Sequence, residues 1–531
     1  MPQRLIVCCD GTWLGPDVAS VSNVRRVYNA LMPTDVNGVP QLSHYEPGAG
    51  TEGGVLRRLL GAGFAVGLSN DVLDAYQWLS AAYRPGDSVA LFGFSRGAYT
   101  ARSLAGLIAA SGLIDIGAYD APTAGRHLTR AHLHYRAGDS GRRWRKGLRF
   151  RFDPDDEAAF PVDFIGVWDT VGARGIPGNL AGIGLLTPAR GLRFHDVRLN
   201  RHVKHARHAL ALDEPRRPFT ATLWEPAEAH QDVEQRWFPG SHMDVGGGHR
   251  RAGLSDGALK WMVEEAEKTV GLRFSQYALS QIRPDPADVL HDDHRGVSGA
   301  VPFLAEPVLG TLEQVVWQSR PRAVPPVLPA GNSVQPLPPT QTLDPSVRER
   351  QQRQPITGGS YRPTRVLTPG DTATVEIHAR DLWNDTGLHL EPGSYTFRAE
   401  GQWLAAWTWS DPGGVRGLRR FEPTALPRRI GDVIDQGVRV YRALTGQREA
   451  TVVGASREVD LPWMYLVGYV ANDAERVRGV PGGKGHERIP IGRGTTHEVK
   501  RPGYFYAYAN DAWGFYGSHR GSVRLTVVRK S

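Results

Sequence analysis

Short apolar runs and helically spaced apolar residues alternate along the first half of the chain. The apolar runs end at polar or glycine-rich turns and predict buried strands at residues 4–9, 88–94, 162–168 and 236–239. Apolar residues at helical spacing predict helices at residues 70–83, 97–112 and 255–269, the first capped by Asn70. Because strands alternate with helices, we predict an α/β-hydrolase-like fold with a mostly parallel sheet and flanking helices.

The pattern changes twice in the second half. Residues 321–365 are rich in proline, which predicts a linker or an extended surface strap. In residues 366–531, β-branched and aromatic runs are separated by glycine, proline, asparagine and aspartate, which predicts an antiparallel β-sandwich. We therefore divide the chain into an α/β domain at 1–320, the linker at 321–365 and an accessory domain at 366–531.

Composition narrows the class of protein. The chain has 531 residues, more than one small core needs, and its net charge of +8 is spread without a basic block, so we expect no nucleic-acid partner. Cys8 and Cys9 are the only cysteines, which excludes a disulfide scaffold. We find neither a signal peptide nor an apolar run of about 18 residues, and expect a cytoplasmic location in the producing cell, with export by a route that reads no signal peptide.

The segment Gly93–Gly97 has the form G-x-S-x-G and lies between a predicted strand and a predicted helix. This context is typical of a nucleophile elbow, in which a sharp turn exposes the serine hydroxyl at the strand end. We predict that Ser95 is the nucleophile of a serine hydrolase that forms an acyl-serine intermediate. A glycine-rich turn with a surface serine is the alternative.

A serine nucleophile needs a base and an acid that orients the base. Asp169 follows the strand at 162–168, and His242 follows the strand at 236–239, so both stand where a parallel sheet presents catalytic groups. We predict that Asp169 is the acid and His242 the base. Asp213 and Asp244 are alternative acids, although Asp244 is so close to His242 in sequence that it suits a loop-shaping role better.

Two backbone N–H groups are expected to form the oxyanion hole. The N–H of Arg96 lies at the start of the predicted helix, and Gly11 or Thr12 in the turn after the first strand can supply the second. Asp10 in the same turn has two interpretations, as part of this site or as a turn-forming residue.

Five motifs carry a resemblance to a known family. They are DGTW at 10–13, GFSRGAYTAR at 93–102, VWDTVGA at 167–173, HALALDE at 208–214 and PGSHMDVGGG at 239–248. Together they resemble the α/β-hydrolase family that includes the catalytic domain of type VI secretion phospholipase effectors. The resemblance implies a triad of Ser95, Asp169 and His242, an ester or phospholipid substrate and peripheral membrane contact. We expect no cofactor to be required for catalysis.

The C-terminal part is similar, over shorter stretches, to galactose-binding, calcium-dependent β-sandwich lectins. That resemblance implies a calcium ion on Asn510 and Asp511 and a carbohydrate partner. His519 and Arg520 stand where further oxygen ligands are expected, so an accessory β-sandwich without metal is the alternative.

Other patterns have two interpretations each. His202, His205 and His208 are spaced for one helix face, as metal ligands or, as we favour, as part of an exposed basic helix. Residues 54–73 suit a lipid-contacting lid or a loop and helix packed on the core. The main alternatives to a phospholipase are an esterase or thioesterase on a non-lipid substrate and an inactive carbohydrate- or envelope-binding protein.

Overall fold

The computed structural model describes residues 2–11, 21–48, 62–138, 142–156, 159–171, 199–216, 219–225, 228–291, 319–328, 337–353, 355–356, 361–405, 408–415, 436, 456–476, 484–512 and 515–531. The strands of the first part are β1 (Arg4–Cys9), β2 (Gln41–Glu46), β3 (Ser88–Phe94), β4 (Leu113–Ile114), β5 (Phe150–Phe152), β6 (Val162–Trp168), β7 (Val203–Ala211), β8 (Asp232–Phe238) and β9 (Gln341–Leu343). The α-helices are α1 (Asn23–Ala30), α2 (Ala62–Ala82), α3 (Arg96–Ser111), α4 (Ala121–Ala137), α5 (His242–Gly246), α6 (Gly253–Val270), α7 (Gln276–Ser280) and α8 (Pro345–Gln352). None of the helices within these described ranges is long and apolar enough to cross a membrane.

A seven-stranded sheet forms the centre of the first part, in the order β2-β1-β3-β6-β7-β8-β9, with every neighbouring pair parallel. The chain runs outward from β1 to β2 and then returns to the other side of β1 with β3. Such a reversal opens a crevice beyond the carboxyl ends of the strands, where α/β proteins place their sites. The predicted α/β fold class is confirmed.

Both faces of this sheet are covered, as the continuous apolar runs predict. Leu5 and Val7 of β1 pack in a cluster with α2, α3 and α4, whereas Ile6 and Cys8 pack on the opposite face with α1 and α6. Side chains alternate between the faces of a strand, so an uninterrupted apolar run indicates a strand buried on both sides.

Two helix predictions differ from the structure. Helix α2 begins at Ala62, so Asn70 lies inside it and is not its cap, and residues 62–73 of the lid candidate are helical. Residues 54–61 of that candidate lie outside the described residues. The segment at 203–211 is a strand, β7, because its neighbours β6 and β8 pair with it on both edges, and this tertiary pairing outweighs the three-residue spacing of its histidines.

Residues 321–365 are more than a linker. Within this segment β9 pairs in parallel with β8 and extends the central sheet, and α8 follows it. The Arg350 side chain of α8 is buried and donates a hydrogen bond to the Asp288 carbonyl at 2.7 Å. The proline-rich composition therefore belongs to a segment that is part of the α/β domain.

The C-terminal part contains two mostly antiparallel sheets. Its strands are β10 (Arg365–Val366), β11 (Thr372–His378), β12 (Asn384–Leu390), β13 (Gly393–Ala405), β14 (Thr408–Ser410), β15 (Gly413–Val415), β16 (Trp463–Arg476), β17 (Lys484–Pro490), β18 (Gly494–Val499), β19 (Gly503–Ala509) and β20 (Arg520–Arg529). One sheet has the order β10-β12-β19-β16-β15 with β17 beside β16, and the other has β11-β20-β13-β14 with β18 beside β13. Phe397, Trp403 and Phe505 are fully buried in one cluster to which both sheets contribute side chains. This cluster is the core of the sandwich.

A separate apolar cluster joins the two parts of the molecule. It contains Leu210 and Trp237 of the central sheet, Val327 of the proline-rich segment, and Tyr504 and Tyr506 of β19. Because one buried cluster is shared by both parts, the β-sandwich packs against the edge of the central sheet.

Candidate active site

Ser95, Asp169 and His242 meet at the carboxyl edge of the central sheet. They follow β3, β6 and β8, respectively, so the parallel strands bring them to the same edge. His242 Nε2 lies 2.8 Å from Ser95 Oγ, and His242 Nδ1 lies 2.7 Å from Asp169 Oδ2. The three residues therefore form a continuous hydrogen-bonded row, and all are at most 4% exposed.

The turn at Ser95 has the backbone geometry of a strained elbow. Ser95 has φ 57° and ψ −116°, which is unusual for a residue with a side chain. A Cβ on Gly93 would lie 2.4 Å from the Gly97 carbonyl oxygen, and one on Gly97 would lie 2.0 Å from that of Cys9. Both glycines of the G-x-S-x-G pattern are therefore required by close backbone approach.

Asp169 is held by its backbone and by contacts with Arg322 and His242. Its φ is 36°, and its Oδ1 accepts a hydrogen bond from the Ala211 N–H at 3.0 Å. Burial raises the pKa of Asp169, but the Arg322 charge and the hydrogen bonds from His242 and Arg322 outweigh burial and hold that pKa well below its usual range. The carboxylate is therefore ionised and can orient the His242 ring.

The position of His242 follows from its helix and from two aromatic rings. His242 is the first residue of α5, which Ser241 and Asp244 cap with a reciprocal capping box. The His242 ring lies 4.7 Å from the Phe94 ring and 4.8 Å from the Phe219 ring, centroid to centroid. These contacts restrict the rotation of the imidazole.

Asp213 and Asp244, the alternative acids, have other partners. Asp213 accepts hydrogen bonds from the Gly240 N–H at 2.8 Å and from the Tyr361 hydroxyl at 2.7 Å. Asp244 accepts hydrogen bonds from the Ser241 N–H and hydroxyl, both at 3.1 Å. Among the three candidate acids, Asp169 is the one that contacts the His242 ring.

The two sides of the predicted oxyanion hole differ. Arg96 is the first residue of α3, where backbone N–H groups have no acceptor within the helix. The Gly11 N–H instead donates to Asp10 Oδ1 at 2.7 Å, while Asp10 Oδ2 accepts from the Ser22 and Tyr45 hydroxyls. Asp10 is thus the anchor of this turn, and its carboxylate accepts the Gly11 N–H that is expected from the sequence to face the oxyanion. Thr12 lies outside the described residues.

Two charged residues of the site were absent from the sequence prediction. Arg322 binds both carboxylate oxygens of Asp169, and Glu214 accepts the His242 N–H at 3.1 Å. Burial raises the pKa of Glu214, but the Arg216 charge and hydrogen bond hold it below its usual range. Glu214 ends the HALALDE motif and follows β7, so the rule that located Asp169 points to it as well. No motif or strand end near Arg322 in the sequence indicates its contact with Asp169.

The candidate calcium pair does not fit a cation site. The Asn510 side chain accepts the Glu458 N–H at 2.9 Å and donates to the Glu458 carbonyl at 3.0 Å. Asp511 accepts the Ala512 N–H at 2.7 Å and lies 2.9 Å from His519 Nε2. Calcium takes about six to eight oxygen ligands, whereas these oxygens face backbone N–H groups and an imidazole.

The histidines of β7 do not converge on a metal site. His205 Nδ1 lies 3.0 Å from Asp232, while His208 is buried and its Nε2 accepts the Thr170 N–H at 3.0 Å. Burial lowers the pKa of His208 to about 3, so the ring is neutral. His202, His205 and His208 therefore have separate structural partners.

A different set, Asp244, His249 and His291, has its ligand atoms within 4.8 Å of one another. Asp244 Oδ1 lies 2.5 Å from His291 Nδ1, and the rings of His249 and His291 stack at 3.8 Å. The Asp244 carboxylate therefore joins α5 to the His291 ring.

Comparison with known proteins finds a relative over part of the chain. Over 239 residues the chain is 28% identical to an uncharacterized protein of Saccharomyces cerevisiae, covering 42% of this chain and 33% of the yeast protein. The chain thus spans about a third of the length of that relative.

Three solved structures are similar to parts of this chain, each with a TM-score of 0.30 or less. The Tle1 effector bound to the VgrG spike of the type VI secretion system is 18% identical with a TM-score of 0.30, covering 47% of this chain and 52% of that one. An uncharacterized protein from Pseudomonas aeruginosa is 17% identical with a TM-score of 0.29, covering 59% and 53%. The EclA N-terminal domain, a PllA-like lectin, is 16% identical with a TM-score of 0.18, covering 29% and 94%.

The family model described as the catalytic domain of Tle1-like phospholipase effectors of the type VI secretion system matches residues 3–265. This range contains Ser95, Asp169, His242 and all five motifs. Residues 3–265 of this chain therefore match the family of Tle1-like phospholipase effector catalytic domains.

Proposed function

We propose that the protein is a serine hydrolase that cleaves carboxylic esters of phospholipids through an acyl-serine intermediate. The observation that carries the proposal is the row from Ser95 through His242 to Asp169, with distances of 2.8 Å and 2.7 Å. These lengths lie within the hydrogen-bond reach expected of a nucleophile, base and orienting acid.

The first half-reaction forms the acyl-enzyme. His242 Nε2 takes the hydroxyl proton of Ser95 as Oγ attacks the ester carbonyl carbon, and Asp169 stabilises the resulting imidazolium. The tetrahedral intermediate then collapses, its bond to the leaving alcohol breaks, and that alcohol takes the proton from His242. The product is an acyl group on Ser95 Oγ.

The second half-reaction returns the enzyme to its starting state. Water attacks the acyl carbonyl while His242 takes one of its protons. Collapse of the second intermediate breaks the bond to Ser95 Oγ, which receives that proton as the free acid leaves. Each proton transfer is thereby assigned to a side chain of this protein.

Stabilisation of the oxyanion is assigned to the N–H of Arg96 at the start of α3, because a helix N-terminus favours developing negative charge. The Gly11 N–H donates to Asp10. Gly11 therefore becomes a donor only if substrate binding breaks that hydrogen bond. Thr12 remains a candidate for the second donor.

The substrate class rests on the family description, which is that of phospholipase effectors. A phospholipid substrate also requires contact with a lipid surface, and we extend the proposal to a peripheral membrane encounter. Carbohydrate binding by the β-sandwich and export without a signal peptide stay predictions.

The test is a panel of phospholipids and soluble esters with the wild type and Ser95→Ala. Loss of a single triad member typically costs about 10⁴–10⁶ in rate. Ser280→Ala is the matched control, because Ser280 is an exposed serine on α7. A fluorophosphonate probe should label the wild type and the control but not Ser95→Ala.

The panel also separates the alternatives. Hydrolysis of soluble esters without any phospholipid cleavage would leave a serine esterase acting on another substrate. Failure of the probe to label the wild type, with no activity on any ester, would contradict the enzyme proposal and leave a binding protein.

A further inference from the structure

Arg322 contacts the acid of the triad from outside the matched catalytic range. Its guanidinium nitrogens lie 2.7 Å and 2.9 Å from the two carboxylate oxygens of Asp169, and one of them donates to the Ala211 carbonyl at 2.8 Å. A further hydrogen bond reaches the Phe219 carbonyl. The Arg322 side chain is 4% exposed, and that of Asp169 is fully buried.

Because Arg322 binds both oxygens of Asp169, it restrains rotation of the carboxylate, which a single hydrogen bond would allow. The planar guanidinium fork fits both oxygens of Asp169 at once and opposes rotation of the carboxylate about its Cβ–Cγ bond. The oxygen that faces His242 Nδ1 is thereby held in place. The charge of Arg322 also compensates a carboxylate that would otherwise be buried without a cation.

The segment that carries Arg322 is attached to the β-sandwich on both sides of this residue. His486 Nε2 of β17 lies 2.7 Å from the Pro321 carbonyl oxygen, and Trp383 donates from Nε1 to the Ser319 carbonyl at 2.9 Å. Further along, the Val327 N–H donates to the Tyr504 hydroxyl at 2.8 Å.

A cavity of about 750 Å³ borders this segment, with Arg322 and Trp383 among its lining residues. Packing is therefore incomplete on one side of the segment. The backbone that carries Arg322 is held by these hydrogen bonds to the β-sandwich and, on the α/β side, by the Arg320 N–H, which donates to the Pro215 carbonyl at 2.6 Å.

We propose that Arg322 is the positioning residue of the triad acid and that the β-sandwich sets its position through His486 and the Pro321 carbonyl. This inference rests on the proposed serine-hydrolase function. It assigns the C-terminal domain a role in the rate of hydrolysis, even of a soluble ester, although no sandwich residue belongs to the triad. Arg322 acts through Asp169 and does not touch the reacting atoms.

The first experiment measures kcat and KM on a small soluble ester with full-length Arg322→Lys and Arg322→Met. Lysine keeps the charge but lacks the fork, so we expect kcat to fall by about 10²-fold with little change in KM. The matched control is Arg207→Lys. The Arg207 side chain is also 4% exposed, and it forms ion pairs with Asp232 and Glu265 at 2.6 Å, far along β7 from the site.

The pH profile separates the charge of Arg322 from its shape. The charged or titratable groups around Asp169 are Arg322, His242, His208 and Glu214. With Arg322→Met, the buried Asp169 carboxylate loses its compensating cation, so the hydrogen-bonded Asp169–His242 pair keeps a proton to higher pH and the acid limb of kcat/KM moves to higher pH. Arg322→Lys should keep the wild-type acid limb despite its lower kcat.

The second experiment tests the contribution of the sandwich with His486→Leu, which removes the contact to the Pro321 carbonyl. We expect a decrease in kcat of roughly tenfold without a change in KM, because a displaced Arg322 holds the Asp169 carboxylate less accurately. His389→Leu is the control, because His389 and His486 are both buried histidines of the sandwich, at 3% and 4% exposure.

Each outcome decides one part of the proposal. A wild-type kcat in Arg322→Lys would overturn the positioning role, whether or not Arg322→Met folds. Equal kcat values in His486→Leu and His389→Leu would overturn the role of the sandwich. If the fluorophosphonate probe fails to label Ser95 in the wild type, the proposed function itself is wrong.

Discussion

Two buried histidine–aspartate pairs, one in each part of the molecule, make a direct comparison. His242 lies 2.7 Å from Asp169 at the edge of the parallel sheet, and His519 lies 2.9 Å from Asp511 in the β-sandwich. All four side chains are at most 10% exposed. The pairs are nearly equal in length and burial, so neither property identifies the catalytic one.

The difference lies in what each histidine does with its other nitrogen. His242 Nε2 faces Ser95 Oγ, a group that can react, whereas His519 Nδ1 lies 3.1 Å from the Ala379 carbonyl oxygen, which can only accept a hydrogen bond. A base needs a proton donor in reach that becomes a nucleophile, and a carbonyl does not provide one. A histidine–carboxylate pair is thus catalytic only through its third partner.

The largest expected difference between the pairs is in activity. His242→Gln should lower kcat on a soluble ester by about 10⁴–10⁶-fold, because no group remains to take the Ser95 proton. His519→Gln should leave kcat within about twofold, and lower the free energy of unfolding by about 1–3 kcal/mol through its lost buried hydrogen bonds. Steady-state kinetics and urea unfolding measure both effects. Comparable losses of kcat in His242→Gln and His519→Gln would contradict the distinction between the two pairs.

One glycine near each histidine–aspartate pair provides a second comparison, with an effect on kcat and stability of intermediate size. A Cβ on Gly246 would lie 1.9 Å from the Phe94 ring, which packs on His242, whereas a Cβ on Gly517 meets nothing within 4 Å among the described residues. Gly246→Ala should therefore reduce stability by about 1–3 kcal/mol and displace the base enough to lower kcat roughly tenfold or more. Gly517→Ala should change the free energy of unfolding by at most about 0.5 kcal/mol. Normal kcat in folded Gly246→Ala would show that Phe94 does not hold His242.

The smallest expected effect concerns calcium. Because Asn510 and Asp511 are engaged by the backbone and by His519, adding calcium or a chelator should change Tm by no more than about 1 °C. Thermal unfolding of the full-length protein measures this, with Asp511→Asn as the comparison variant. A rise in Tm with calcium in the wild type that Asp511→Asn abolishes would restore the calcium site.

Prediction from sequence succeeded where local geometry forces a result. A glycine-flanked serine between a strand and a helix specifies an elbow, and Ser95 has the strained φ and ψ that this context predicts. The positions of Asp169 and His242 after β6 and β8 followed from the rule that parallel strands present their carboxyl ends at one edge. In both cases the relevant pattern spans fewer than about ten residues.

Prediction failed where a tertiary pairing or a side-chain hydrogen bond competes for the same group. The histidine spacing at 202–208 suits a helix, but pairing with β6 and β8 makes the segment a strand. The Gly11 N–H has a predicted role, but Asp10 accepts its hydrogen bond. Strand β7 is decided by strands that are distant in sequence. The Gly11 N–H is decided by the orientation of the Asp10 side chain, which no sequence pattern specifies.

The sequence by itself indicated the two-part architecture, the elbow at Ser95 and the order in which Ser95, Asp169 and His242 follow their strands, because periodicity and turn chemistry are local properties. Only the tertiary structure decided that Asp169, and not Asp213 or Asp244, faces His242, and that Arg322 of a proline-rich segment binds Asp169. The physical reason is that a buried carboxylate takes its partners from whatever the packed chain brings near it. Arg322 is 153 residues from Asp169 in sequence, so this contact exists only after distant segments of the chain have packed together.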